Sequence, residues 1–140
     1  MDFTFRYDCK DIDWGVVAQT LKQVGMANFT PEVHKKAFEN SRVVVFVFYE
    51  ETLVGFGRAL SDGAYQAAIY DVAIVPEYQG QGLGGFIVDR IKKSLPQCNF
   101  ILYAAPGKEE FYAKMGFRKM RTGMALFTHP DAMSKKGITE

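Results

Sequence analysis

Apolar and polar residues alternate at the start of the chain: in residues 2–7, DFTFRY, every second position is apolar, which predicts a short strand. The period then lengthens. Trp14, Val17, Leu21 and Val24 recur at helical spacing behind Asp13, a good N-cap, and Gly25 supplies a stop. Thr30 before Pro31 marks a second helix start, running to about Asn40. Three strand-like runs follow: VVVFVFYE (43–50), LVGFGRAL (53–60) and QAAIYDVAIV (66–75). The links at Glu51-Thr52 and around Ser61-Asp62-Gly63 are hairpin-short, so these strands are expected to be antiparallel neighbours. Pro76 ends the third, because it cannot donate to a ladder.

Helical spacing returns in Leu83, Phe86, Ile87, Ile91 and Leu95, with Arg90, Lys92 and Lys93 where positive charge suits a helix C-terminus. NFILYA (99–104) reads as a buried strand, and GKEEFYAKMGF as a short helix stopped at Gly116. MRTGMALF (120–127) reads as a last strand, with room for another at 117–119, and the polar tail from His129 as frayed. The order β-α-α-β-β-β-α-β-α-β predicts an α+β (mixed α/β) single domain over residues 1–128, followed by a polar tail at 129–140. Its sheet is expected to be mixed, mostly antiparallel and six- to seven-stranded, with helices on both faces.

Composition narrows the function classes. The chain has 140 residues, 48% hydrophobic and 24% charged, enough for a folded core. A net charge of +1 offers no support for a nucleic-acid or anionic-membrane surface. Cys9 and Cys98 lack metal-ligand spacing and His34 and His129 stand apart from them, so no metal is expected. The N-terminus lacks the basic start and apolar run of a signal peptide, and VVVFVFY is far short of a membrane span. The expectation is a cytoplasmic protein without membrane or nucleic-acid partners.

The stretch PEYQGQGLGGFIVDRIKKSL (76–95) holds the candidate chemistry. Gly80, Gly82 and Gly85 spell G-x-G-x-x-G, a dinucleotide fingerprint. That fingerprint needs the first turn of a parallel sheet and an acidic residue about 20 positions on. Here three antiparallel strands come first, and Ala105 stands near the acid's place. Read from Gln79, the same run spells Q-x-x-G-x-G. Either way, Gly80, Gly82 and Gly84 permit positive φ and close backbone approach, and a helix start offers N–H groups to a pyrophosphate.

The run VAIVPEYQGQGLGGFIVDRI resembles the acyl-CoA motif of the GNAT (Gcn5-related) N-acetyltransferases, with Gln79, Gly82 and Gly84 at its three fixed positions. The element order over residues 2–127 is similar to that fold, and EFYAKMGF resembles the family's later helix-and-turn motif. The resemblance implies direct transfer of acetyl from acetyl-CoA to an amine in a ternary complex. It implies a pyrophosphate site over Gln79, Gly80, Gln81, Gly82, Leu83, Gly84 and Gly85, and pantetheine pairing with the backbone of Val72, Ala73 and Ile74. It makes Val72 N–H the oxyanion donor and Tyr112 the acid that protonates the thiolate.

Asp71 is the candidate base. Strand alternation places its side chain opposite Tyr70 and Val72, and the competing reading is a carboxylate that bonds nearby groups. Glu77 and Asp62 are further acids that could attract a cationic amine. Many family members carry an asparagine where Ala105 stands, so the departure bears on the local CoA contact and on the onset of the last helix. Lys114 could reach the CoA 3′-phosphate.

The chain also looks like the small arylalkylamine (serotonin-type) acetyltransferases, with Tyr49, Phe56, Tyr65 and Tyr70 as candidate walls for a planar small-molecule amine. A noncatalytic acyl-CoA-binding module is the alternative on the same fold. Family members often dimerise, which leaves a homodimer open.

Overall fold

A computed structural model describes residues 2–140. The strands are β1 (Phe3–Arg6), β2 (Val43–Tyr49), β3 (Thr52–Ser61), β4 (Gln66–Ile74) and β5 (Asn99–Ile101), and they form one sheet in chain order. The first four are antiparallel to their neighbours, and β5 runs parallel to β4. The parallel step needs a crossover, supplied by α3 (Leu83–Ser94).

Two helices cover one face. Asp13 accepts from the N–H groups of Gly15 and Val16 and opens α1 (Trp14–Gln23), while Thr30 accepts from Val33 and opens α2 (Pro31–Glu39). Val17, Leu21 and Phe38 from these helices bury themselves against Phe46, Phe48 and Phe56 of the sheet. On the other face, Phe86 of α3 stacks on Phe5 of β1 at 3.9 Å, and Ile87 packs over Gly55 and Gly57 of β3. A Cβ built at Gly57 would lie 2.6 Å from Ile87 Cγ2 and 3.1 Å from Val72 Cγ2, so this glycine is what lets α3 approach the sheet.

Among the described residues the sheet has five strands, not six or seven. Residues 117–119 and 120–127 form no strand; Met124 and Leu126 are 95% and 100% exposed. An apolar run makes a strand only when a neighbouring edge pairs with it, and none of the described strands pairs with that segment. β5 is also shorter and more open than its apolar run suggests, with Ile101 52% exposed. The tail is helical from Pro130 to Lys135, as α5. Its initial proline, Asp131 in the first turn and Lys135 in the last all suit a helix.

The chain divides into two compact units, one ending at Leu102 and the other starting at Tyr103. In the second, α4 (Glu109–Lys114) ends at Gly116, whose φ of +97° only glycine adopts readily. Phe117 N–H returns to Tyr112 carbonyl at 3.1 Å.

Candidate functional site

The edge of β4 follows from its bonding pattern. Val75 N–H donates to Val54 carbonyl at 2.8 Å, toward β3. Bonding direction alternates along a strand, so the N–H groups of Val72 and Ile74 face the opposite edge. There β5 pairs only with Gln66, Ala67 and Ala68. β5 does not extend past Ala68 along that edge, and the N–H groups of Val72 and Ile74 are placed to meet an extended ligand there. Ile74 carbonyl is taken by the side chain of Gln79, whose Nε2 donates to it at 3.1 Å.

A bulge interrupts the other edge. Phe56 pairs with Ala73 and Arg58 with Tyr70, so Gly57 alone stands opposite Asp71 and Val72. Asp71 takes up the extra residue in the left-handed region, with φ +58°. This corrects the expectation from simple alternation, which put Asp71 and Tyr70 on opposite faces. One guanidinium meets both: Arg58 Nε donates to Asp71 Oδ2 at 2.7 Å, and its Cζ sits 5.3 Å from the Tyr70 ring centroid. Arg58 also lies over Phe38 at 5.6 Å and donates to Ser41 Oγ at 3.3 Å.

After β4, Pro76–Tyr78 makes a single 3₁₀ turn, and the chain then crosses the glycines into α3. Gly80 and Gly82 hold φ of +82° and +80°; Gly84 lies within α3 and does not, contrary to expectation. Phe86 N–H, bonded to Gly82 carbonyl at 3.1 Å, is the first within the helix, so the N–H groups of Leu83, Gly84 and Gly85 precede the ladder. No side chain caps this end and no acid sits in its first turn. A Cβ built at Gly80, Gly82 or Gly85 meets nothing within 4 Å. Open space, oriented N–H groups and the positive end of a twelve-residue helix suit a pyrophosphate. Gln81 is exposed on the same turn.

The remaining sequence candidates have local surroundings of their own. In the second unit, Tyr112 packs between Phe111 and Phe117, at 4.9 and 5.7 Å, and burial pushes its phenol above the ordinary tyrosine value. Ala105 belongs to a turn closed by Lys108 N–H on its carbonyl at 2.9 Å. Glu109 folds back to accept from Gly107 N–H at 2.7 Å, which organises the onset of α4. Lys114 is exposed. Asp62 accepts from Ala64, Tyr65 and Gln66 N–H groups, which hold its carboxyl below the usual range and make it a hairpin device. Glu77 is exposed in the 3₁₀ turn. The four candidate aromatics form no common wall. Phe56 is fully buried, Tyr65 is 63% exposed, Tyr49 packs edge-on to Phe3, and Tyr70 faces Arg58.

Sequence reasoning misses Arg58 and His34. An arginine inside LVGFGRAL is the available signal for the first, as a charge that must find a partner; a lone histidine on a helix face gives none for the second. Two surface hollows are present, the second lined in part by Val75 just past β4. One, about 360 Å³, is lined by Tyr7, Arg42, Arg90 and Gln97 among others, and the other, about 410 Å³, lies between α1 and β3. No described helix is long and apolar enough to cross a membrane.

Comparison with known proteins gives this geometry a context. The family described as "Acetyltransferase (GNAT) domain" matches residues 17–125. A Gracilaria tenuistipitata protein named "Uncharacterized N-acetyltransferase ycf52" is 39% identical over 87% of this chain and 65% of its own length. "Serotonin N-acetyltransferase 2, chloroplastic" of Oryza sativa is 31% identical over 82% of this chain and 61% of its own. The chain thus spans slightly under two thirds of these two relatives. Among solved structures, a probable acetyltransferase of Staphylococcus aureus has a TM-score of 0.78 at 25% identity, covering 90% of this chain and 99% of that one. A Deinococcus radiodurans structure with TM-score 0.81 at 21% identity, covering 92% and 90%, shares the fold.

Proposed function

The chain belongs to the GNAT acetyltransferase family, and from that membership we propose that it moves an acetyl group from acetyl-CoA to a primary amine of a small molecule. One observation carries the reading: the edge of β4 that β5 does not cover, with the N–H groups of Val72 and Ile74 on it, runs directly into a glycine turn that directs helix N–H groups at open space. The edge suits an amide-containing arm and the turn suits a pyrophosphate, the two parts of CoA that this chain would need to hold.

When bound, acetyl-CoA supplies the thioester: the amine nitrogen forms a bond to the carbonyl carbon, and the carbon–sulfur bond breaks. Val72 N–H, on that edge of β4, donates to the oxygen that gains charge. Val72 and Ile74 hold the arm through peptide groups, whereas Ala73, expected to join them, pairs with Phe56 and turns its own toward β3. Gln79, Gly80, Gln81, Gly82, Leu83, Gly84 and Gly85 hold the phosphates. Tyr112 protonates the departing thiolate, its phenol being in the protonated form at neutral pH. Asp71 is already engaged by Arg58, so this reading gives it the bulge to hold and leaves the amine's proton to water.

The name of the rice relative, a chloroplastic serotonin N-acetyltransferase, supports an arylalkylamine acceptor and a plastid as alternatives to a generic amine and the cytoplasm. The test is thermal melting with acetyl-CoA and with NAD, then a thiol-release assay over a panel of arylalkylamines, polyamines and a histone-tail peptide. A shift with acetyl-CoA alone and turnover with small amines support the reading. A shift with NAD alone, or with neither, overturns it.

A further inference from the structure

His34 stands on the inward stripe of α2, one turn before Phe38, whose ring lies under Arg58. It is 3% exposed, and its Nε2 is buried without a hydrogen-bond partner among the described residues. Buried polar atoms are nearly always paired, so an orphan of this kind calls for a reason. Its ring meets Phe29 edge-on at 5.8 Å. The charged groups whose fields reach it are Asp71 on the β4 bulge and Arg58 on β3. From α1, the buried side chains are Val17, Thr20 and Leu21, none of which titrates.

We propose that His34 is a positioning residue for acetyl transfer: uncharged, it leaves Asp71 wholly to Arg58 and so keeps the β4 bulge in the form that presents Val72 N–H. The inference rests on the transferase reading above. Asp71 occupies a left-handed conformation that a non-glycine residue adopts only when its surroundings enforce it, and the enforcing contact is the Arg58 bond. A proton on His34 would add a second buried cation within reach of the fields of Arg58 and Asp71, with one carboxylate for both. The Arg58–Asp71 bond weakens, the bulge relaxes, and Val72 and Ala73 shift with it. Burial first, and then Arg58, hold His34 below the ordinary histidine value, while Asp71 pulls the other way. The imidazole is therefore neutral at the pH where the site is in order.

The test is proton NMR titration of the two histidines in the whole protein, with His129 assigned by His129→Gln. Measurements cover wild type, Asp71→Asn and Arg58→Gln, each with and without acetyl-CoA. Expected is a His34 titration below that of an ordinary histidine, moved lower by Asp71→Asn and higher by Arg58→Gln. Acetyl-CoA moves the titration lower again. By reciprocity, acetyl-CoA affinity falls as His34 takes its proton, about tenfold if the ligand moves the midpoint by one pH unit. A His34 titration that neither variant moves, in protein that binds acetyl-CoA, overturns the proposal. A protein whose melting ignores acetyl-CoA overturns the transferase reading instead. Should either variant fail to fold, His34→Gln decides: it is expected to remove the acid limb of the kcat profile, and an unchanged acid limb overturns the proposal.

Discussion

The Gln79 side chain donates to the carbonyl of Ile74 across 3.1 Å, tying the first residue of the glycine motif to the last residue of β4. The bond spans five residues around the 3₁₀ turn and fixes the angle at which the strand hands over to the glycines. Gln79 is exposed, so the bond adds at most about 1 kcal/mol to stability. Gln79→Ala is expected to leave melting nearly unchanged while weakening acetyl-CoA severalfold, read by calorimetric titration. An unaltered dissociation constant would remove this role.

Gly82 and Gly85 separate two reasons for keeping a glycine. Gly82→Ala forces a Cβ into φ +80°, costing roughly 1–2 kcal/mol and lowering the melting temperature. Gly85 is helical with open space around it, so Gly85→Ala should gain up to about 1 kcal/mol of helix stability. Its methyl nonetheless intrudes where a phosphate would approach, so acetyl-CoA affinity should fall as melting rises. Denaturant titration beside ligand titration checks both signs.

Gly57→Ala should destabilise by about 1–3 kcal/mol, since the new Cβ meets Ile87 Cγ2, a branch close to the backbone that cannot swing aside. Gly55→Ala should cost less, because its closest contact is the terminal Cδ1 of Ile74. Urea unfolding of the pair ranks them, and the reverse order would contradict the packing described between α3 and β3.

Tyr112→Phe should lower kcat about a hundredfold, the low end of general acid catalysis, with little change in acetyl-CoA affinity. The raised phenol pKa puts the alkaline loss of activity above pH 10. Steady-state kinetics across pH reads both, and unchanged turnover in the variant would move the acid role elsewhere.

Stability should fall on the acid side through His34. Its folded pKa is depressed, so the unfolded chain takes the proton first: the contribution is complete above about pH 6.5 and is lost as pH falls through the folded value. Asp62, Asp89 and Glu109 are also depressed, but their loss begins only near the carboxylate range. Melting between pH 7 and pH 5 should therefore drop in wild type and stay flatter in His34→Gln.

Local rules made much of this protein legible in its sequence. Asp13 and Thr30 cap the helices they were expected to cap, and Pro76 and Gly116 end the elements they were expected to end. The three central runs pair as antiparallel neighbours, and the glycine turn opens a helix. Each depends on the conformational range of a residue and its immediate neighbours, which the order of amino acids specifies. What lay beyond reach depended on pairing across the fold. MRTGMALF ends in an apolar run that suits a strand, yet composition is only permission, and an edge must accept it. The face of Asp71 departs from alternation because an extra residue in β4 exists only by count against β3, where Gly57 stands alone opposite two residues. Arg58 is thirteen residues from Asp71, and His34 lies on another element altogether. The sequence decided which residues could turn, cap and pack; tertiary contact decided which charge met which, because burial and distance are properties of the folded chain.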